Sequence, residues 1–137
     1  MNLKRIVMSV AVLSSCVLLQ GCALVLVGAA AGAATGGAVS YFGNELLTVQ
    51  EVTIDKAWTA SQGAVTELQY VADSNKSYKD GVKAVLFARN AQGQQVVIKL
   101  VRQSDRLTEI RVRVGVFDTI ANRQGAQIVY EKMRSRM

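Results

Sequence analysis

The segment from Leu107 to Val116 alternates apolar and polar side chains more regularly than any other part of the chain. Its apolar members are Ile110, Val112, Val114 and Val116, and the residues between them are Arg111, Arg113 and Gly115. Because successive side chains of a β-strand point to opposite faces, this pattern predicts a strand with one face buried and the other in water. Such a strand needs a second layer of structure to cover its apolar face.

A helix that begins after Thr53 is predicted to supply part of that layer. Thr53 is a suitable N-cap, and Asp55 places a negative charge in the first turn, where it favours the helix dipole. Apolar or small residues then recur at helical spacing to about Tyr70, namely Ile54, Ala57, Trp58, Ser61, Ala64, Val65 and Leu68. Since Trp58 lies on this stripe, we expect it in the core rather than exposed as a binding residue.

Three further strands and a final helix complete the predicted domain. The strands cover residues 45–52, 82–89 and 94–102, and residues 70–78 form a further candidate strand that Asp73-Ser74-Asn75 breaks. The helix runs from about Ile120 to Met133, with Asp118 or Thr119 as its cap and Gly125 as an interruption. The order β-α-β-β-β-α predicts an α/β fold of the α+β type, a two-layer sandwich with a mostly antiparallel sheet.

Composition argues against several classes of function. The 137 residues include no histidine and two cysteines, Cys16 and Cys22, so the commonest general base and metal ligand is missing. The carboxylates lie mainly at predicted turns, and no Gly-x-Ser-x-Gly or Walker pattern occurs. We therefore expect no catalytic residues, no metal site, no cofactor and no enzymatic activity.

The amino terminus has the features of a secretory signal. Lys4 and Arg5 precede fourteen uncharged residues, 6–19, and the small residue Gly21 follows closely. A basic start, an apolar run of this length and a small residue near the cleavage point are typical of such signals. The alternative, a buried core helix, is disfavoured by the basic start at the chain terminus.

Leu19-Gln20-Gly21-Cys22 ends this run and resembles the lipobox of bacterial lipoproteins. The resemblance implies cleavage before Cys22, acylation of its thiol and of the new amine, and a mature chain without a free thiol. Several acyl chains on one residue anchor a protein stably to a membrane. Ala23 follows where lipoproteins retained at the inner membrane often carry Asp, so the resemblance implies the outer membrane.

Three regions follow from this interpretation. They are a signal peptide over residues 1–21, a lipidated and Gly/Ala-rich membrane-proximal segment over 22–43, and a small periplasmic domain over 44–137. Removing 21 of the 137 residues leaves 116, enough for one domain. Losing Lys4 and Arg5 lowers the formal charge from +6 to +4, and export argues against nucleic acid as a partner.

Residues 23–42 carry no charge and contain Gly28, Gly32 and Gly36 at intervals of four. On a helix these glycines share one face and allow another backbone to approach closely. Three interpretations stay open for the segment: a membrane-associated helix that self-associates through this face, a tether between the lipid and the domain, or part of a core. Its length would suffice to span a bilayer, but Ala and Gly contribute little transfer free energy.

One group of charged side chains is a candidate binding surface. Arg111 and Arg113 share the polar face of their strand, and Lys99 and Lys83 occupy polar positions on neighbouring predicted strands. In a compatible register they would form a cationic sheet face suited to the oxygens of an anionic lipid or glycan. The alternative is that these cations only solvate the outer face of a half-buried sheet.

The chain resembles a family of short Gram-negative lipoproteins known only as a domain of unknown function. The resemblance rests on the lipobox, the glycine-rich spacer, Lys56-Ala57-Trp58, and the passage Ile110-Arg111-Val112-Arg113-Val114-Gly115-Val116-Phe117-Asp118. Members tend to have Gly-Asp where this chain has Phe117-Asp118, and a more apolar final helix. The family implies no catalytic residues.

We therefore expect a non-enzymatic, lipid-anchored outer-membrane protein with a structural or partner-binding role in the periplasm. Its partners would be the membrane, reached through the acyl anchor, and another envelope protein, an anionic lipid or a second copy of the chain. Two alternatives stay open: a module that binds an anionic lipid or glycan through Lys99, Arg111 and Arg113, and a membrane oligomer assembled through Gly28, Gly32 and Gly36.

Overall fold

The alternating segment is an inner strand of an antiparallel sheet. The computed structural model describes residues 38–137, and these form seven strands and two helices. In chain order the elements are β1 (Ser40–Phe42), β2 (Glu45–Gln50), α1 (Ile54–Glu67), β3 (Val71–Ala72), β4 (Tyr78–Lys79), β5 (Lys83–Arg89), β6 (Gln95–Ser104), β7 (Leu107–Val114) and α2 (Ile120–Arg134).

The sheet combines a local meander with one long-range pairing. Its strand order is β1-β2-β7-β6-β5-β3, and β4 also pairs with β5. Strands β5, β6 and β7 follow one another along the chain, whereas β2 reaches β7 across the whole domain and places Leu46 opposite Val112. All pairs are antiparallel. The predicted fold class, an α+β sandwich with a mostly antiparallel sheet, is confirmed.

Both helices cover the same face of the sheet and enclose the core with it. The register aligns one buried residue from each of four neighbouring strands, Leu46, Val112, Ile98 and Leu86. Buried residues of α1 and α2 belong to the same apolar cluster. Burying a large aliphatic side chain contributes about 1.5–3 kcal/mol relative to leaving it exposed, so this layer is the main source of stability.

The helix caps follow the sequence closely. The Thr53 hydroxyl accepts a hydrogen bond from the backbone N–H of Lys56 at 3.2 Å, and Thr119 accepts one from Asn122 at 3.1 Å. Of the two residues predicted to cap α2, Thr119 is therefore the cap. Gly125 does not interrupt this helix. A Cβ there would lie 3.3 Å from the Val114 side chain, so the glycine lets α2 approach β7 closely.

Several element boundaries differ from the sequence prediction. Helix α1 ends at Glu67 rather than near Tyr70, because Gln69 adopts a φ of 58°. The candidate strand over residues 70–78 is broken as predicted at Asp73-Ser74-Asn75, and what remains is two two-residue strands, β3 and β4, the second of which extends to Lys79. In the turn between them the backbone N–H of Ser77 donates to the carbonyl of Asp73. The region assigned to the segment 22–43 contributes β1 as an edge strand. Strand β7 ends at Val114 rather than Val116.

Gly115 ends strand β7. Its φ is +69°, and an added Cβ would lie 2.6 Å from the side-chain nitrogen of Asn122. That amide donates to the carbonyl of Phe117 at 2.8 Å, and its oxygen accepts from Gln94 at 3.0 Å. The turn therefore needs a residue without a side chain for two reasons, backbone conformation and space.

We predict that Gly115→Ala lowers the free energy of unfolding by about 2–3 kcal/mol, from backbone strain and displacement of Asn122 together. Gly43→Ala, at a φ of +60° with open space around the new Cβ, should cost about 1 kcal/mol. Gly81→Ala, which meets neither obstacle, should change stability by less than about 0.5 kcal/mol. Chemical denaturation of the three variants checks this order, and equal losses at Gly43 and Gly115 would contradict the steric contribution.

One carboxylate joins the two helices. Glu67 of α1 accepts hydrogen bonds from Lys132 of α2 at 2.7 Å and from Arg136, just beyond α2, at 2.7 Å. These two cations hold the pKa of Glu67 below its ordinary value of 4.5, chiefly through the hydrogen bond from Lys132. The group is exposed, so solvent screens the attraction and its contribution is small.

The pH dependence of this contact has a defined sign. Because the pKa of Glu67 is lower in the folded state, its stabilisation is present above pH 4.5 and is lost as the pH falls through the folded-state pKa. We predict that Glu67→Gln lowers the melting temperature at pH 7 and that the difference from the unsubstituted protein disappears in acid. Glu51→Gln, at an exposed site without an ion pair in residues 38–137, is the control. A difference that persists in acid would exclude the electrostatic cause.

Candidate functional site

Some of the predicted site residues lie outside the part of the chain that the structure describes. Cys22 and the glycines Gly28, Gly32 and Gly36 all precede residue 38. Lipidation and glycine-mediated self-association therefore stay predictions. The cations Lys99, Arg111 and Arg113 lie within the described strands.

The sheet face opposite the helices brings these cations together. Lys99 and Arg111 are direct cross-strand partners on β6 and β7. Arg113 follows two residues further along β7, opposite Glu45 on one side and Val97 on the other. Lys83 lies on the same face, opposite Val101. We refer to this surface, with its residues Lys83, Glu45, Lys99, Glu109, Arg111 and Arg113, as the open face.

Two carboxylates on the open face pair with the cations. Glu109 Oε1 lies 2.5 Å from Arg111 Nε, and Glu45 contacts both Lys99 Nζ at 3.3 Å and Arg111 Nη1 at 3.7 Å. The hydrogen bond to Glu109 is the main reason that the pKa of Arg111 lies above its ordinary value, and Glu45 adds to the effect. The central cations are thus already bound to anions of the same chain.

Burial indicates which partner depends on the other. The side chains of Glu45 and Glu109 are each 17% exposed, whereas those of Lys99 and Arg111 are 37% and 42% exposed. A partly desolvated carboxylate needs a compensating charge more than a solvated cation does. An external anion would therefore have to displace these carboxylates, and this arrangement favours a structural role for Lys99 and Arg111. Arg113 forms no ion pair within residues 38–137.

A cleft beside α1 is a second candidate site, which the sequence pattern did not predict. It has a volume of about 330 Å³ and lies between the helix and the segment that carries β3 and β4. The aromatic side chains of Trp58 and Tyr70 line it, together with Val65 and Leu86 from the buried core. Trp58 packs only partly against the core. The expectation that Trp58 is a core residue therefore holds for part of its surface, and the rest lines what we call the Trp58 cleft.

Uncharged polar groups complete the lining of the Trp58 cleft. Gln62 and Thr66 project from α1, while Ser74 and Ser77 come from the β3–β4 turn. The Ser77 hydroxyl is engaged, since it donates to the carbonyl of Asp73 at 2.7 Å. A glutamine at helical spacing from Trp58 is the only sequence signal of this site, and on its own it is indistinguishable from a solvated helix face.

Exposed apolar side chains gather at one end of the sheet. Phe42 is 84% exposed, Val116 and Ile120 are 77% exposed, and Phe117 is 75% exposed. The β1–β2 turn, which follows Phe42, lies beside the β7–α2 connection, because the Asn44 amide donates to the carbonyl of Gly115 at 3.4 Å. We call these four residues the apolar end. A group of large exposed apolar residues is typical of a surface that contacts a partner or a membrane.

Residues 38–137 contain no group of three or more Asp, Glu, His or Cys side chains arranged to hold a metal ion. No helix in that region is both long and apolar enough to cross a membrane.

Comparison with known proteins identifies the family. The sequence model of a family described as "Protein of unknown function (DUF3568)" matches residues 5–124. No curated protein matches the chain. The matched region includes the whole sheet, α1 and the first turn of α2. With most of its length covered by this match, the chain belongs to the DUF3568 family, whose function is unknown.

Proposed function

We propose that this protein is a non-enzymatic lipoprotein of the bacterial outer membrane, which holds a small binding or structural domain in the periplasm. The observation that carries the proposal is Leu19-Gln20-Gly21-Cys22, placed directly after a basic start and an apolar run. Cleavage before Cys22 and its acylation would anchor the chain by several hydrocarbon chains, which is enough for stable membrane attachment.

The folded domain supports a binding role better than a catalytic one. The central cations of the open face, Lys99 and Arg111, are paired with Glu45 and Glu109. Because these contacts already engage them, we assign them a structural role rather than a catalytic one. The shifted pKa values of Arg111 on the open face and of Glu67 at the helix contact arise from ion pairs with neighbouring side chains. Such pairs occur widely on protein surfaces and do not by themselves indicate acid–base chemistry.

Mass spectrometry of the membrane-extracted protein tests the anchor. We predict a mature chain that begins at Cys22 and carries diacylglyceryl and acyl groups, and a Cys22→Ala variant that keeps residues 1–21. Cys16→Ala is the matched control, because that cysteine lies in the predicted leader and its replacement should leave processing unchanged. An unmodified chain that retains the leader would overturn the proposal.

The apolar end is the surface that we propose meets the bilayer. Eighteen positions separate Cys22 from Ser40 in the sequence. An extended chain spans at most about 3.6 Å per residue, so the anchor keeps the domain within about 65 Å of the membrane. This tether gives the apolar end a high effective concentration at the bilayer surface. Burying such side chains offsets the entropy that the domain loses when it is held at the surface.

A single reporter thiol can test this orientation. In the lipidated protein Cys22 is blocked, so Phe117→Cys introduces the one thiol that an environment-sensitive fluorophore can label. We predict a blue-shifted emission from this label in proteoliposomes. Arg106→Cys, in the exposed β6–β7 turn, is the control, and a label at this position should show the emission expected in water.

The outcomes separate the two parts of the proposal. If both labels report water while Cys22 is acylated, the membrane contact of the apolar end is wrong and the anchor stands. If Cys22 also takes up the label, its thiol is free and the anchor is wrong.

A further inference from the structure

The Trp58 cleft combines an aromatic wall with polar groups that have no partner in the described part of the protein. Within residues 38–137, the indole N–H of Trp58, the side-chain amide of Gln62 and the hydroxyls of Tyr70 and Ser74 form no hydrogen bond, although each of these residues lines the cleft. Several residues with donor and acceptor groups therefore border one space, together with two aromatic rings.

The size of the cleft suits a small ligand. Its volume of about 330 Å³ lies at the lower end of the range for small-molecule sites, roughly 300–1,000 Å³. Such sites are lined mainly by apolar and aromatic side chains, with a few polar groups that orient the ligand. The buried side chains of Val65 and Leu86 and the two rings supply the first component, and the amide and hydroxyls supply the second.

The lining also defines the chemistry of the ligand. None of the nine residues that line the cleft is Asp, Glu, Lys or Arg, so nothing in the wall compensates a charged ligand for the loss of its hydration. A purely apolar ligand would offer no hydrogen bond to any amide or hydroxyl that it removes from water, which is costly. The favoured ligand is neutral, presents an apolar face to the rings and carries several hydroxyl or amide groups along its edges.

We propose that the Trp58 cleft is a binding site for a neutral saccharide of one or two sugar rings. The C–H face of a sugar ring packs on Trp58 and Tyr70, while its hydroxyl or N-acetyl groups exchange hydrogen bonds with Gln62, Ser74 and the Tyr70 hydroxyl. This activity does not depend on the membrane anchor, so either can fail without the other.

Trp58 provides the readout, since it is the single tryptophan of the chain. The full-length protein, purified in a detergent without a sugar headgroup, is titrated with the β-1,4 disaccharide of N-acetylglucosamine and, separately, with maltose. We expect a saturable change in Trp58 fluorescence with at least one of the two, with a dissociation constant on the order of 1 mM, as suits a small neutral ligand.

Two variants test whether the signal comes from the cleft. Gln62→Ala removes the amide and Tyr70→Phe removes only a hydroxyl, and each should weaken binding about fivefold, as expected for the loss of one neutral hydrogen bond. Gln124→Ala is the matched control, because Gln124 is also an exposed helical glutamine but lies on α2, outside the cleft. Melting curves establish that all three variants fold.

Two results would overturn the proposal. One is the absence of a saturable fluorescence change with both disaccharides. The other is a change that Gln62→Ala and Tyr70→Phe leave untouched, or that Gln124→Ala reduces as strongly, because the signal would then not report a ligand in the cleft.

Discussion

The structure depends on removing one face of strand β7 from water. Thr108, Ile110, Val112 and Val114 are buried in turn along this strand, and β7 pairs with β2 on one side and β6 on the other. The pairing with β2 joins distant parts of the chain, so loop-closure entropy opposes it and burial under the two helices must outweigh that cost. Even the polar member of the row is satisfied, since the Thr108 hydroxyl donates to the carbonyl of Val52 at 2.8 Å. This contact joins β7 to the loop that leads into α1.

The same alternation places the polar side chains of β7 on the opposite face of the sheet, where they form ion pairs instead of a packed core. Register makes Lys99 and Arg111 neighbours and brings Glu45 and Glu109 against them. Exposed ion pairs contribute little to stability, so the value of this network lies in balancing partly buried carboxylates and in opposing shifts of strand register. The two proposed interaction surfaces lie elsewhere, where the regular elements end: at the β7–α2 connection, which leaves Phe117 exposed, and at the β3–β4 segment, which closes one side of the Trp58 cleft.

Most of the fold could be predicted from local patterns, because each element carries its own period and cap. Thr53 and Thr119 cap the two helices, and the alternation at Ile110, Val112 and Val114 sets the buried row. Two features were missed because they depend on contacts between elements rather than on the residues of the element itself. Gly125 weakens an isolated helix but permits contact with Val114 in the folded one, and the edge strand β1 has no pattern of its own because β2 is what orders it.

The sequence by itself determined the α+β class, the two helix starts, the polarity of each face of β7 and the lipobox-like motif at Cys22, since these depend on near neighbours in the chain. Tertiary structure decided which charges meet and which side chains surround a space. Glu45 and Arg113 are opposed only because β2 pairs with β7, and Trp58 shares a cleft with Ser74 only because the β3–β4 turn folds back beside α1. Contacts of this kind join residues far apart in sequence, and no local periodicity records them.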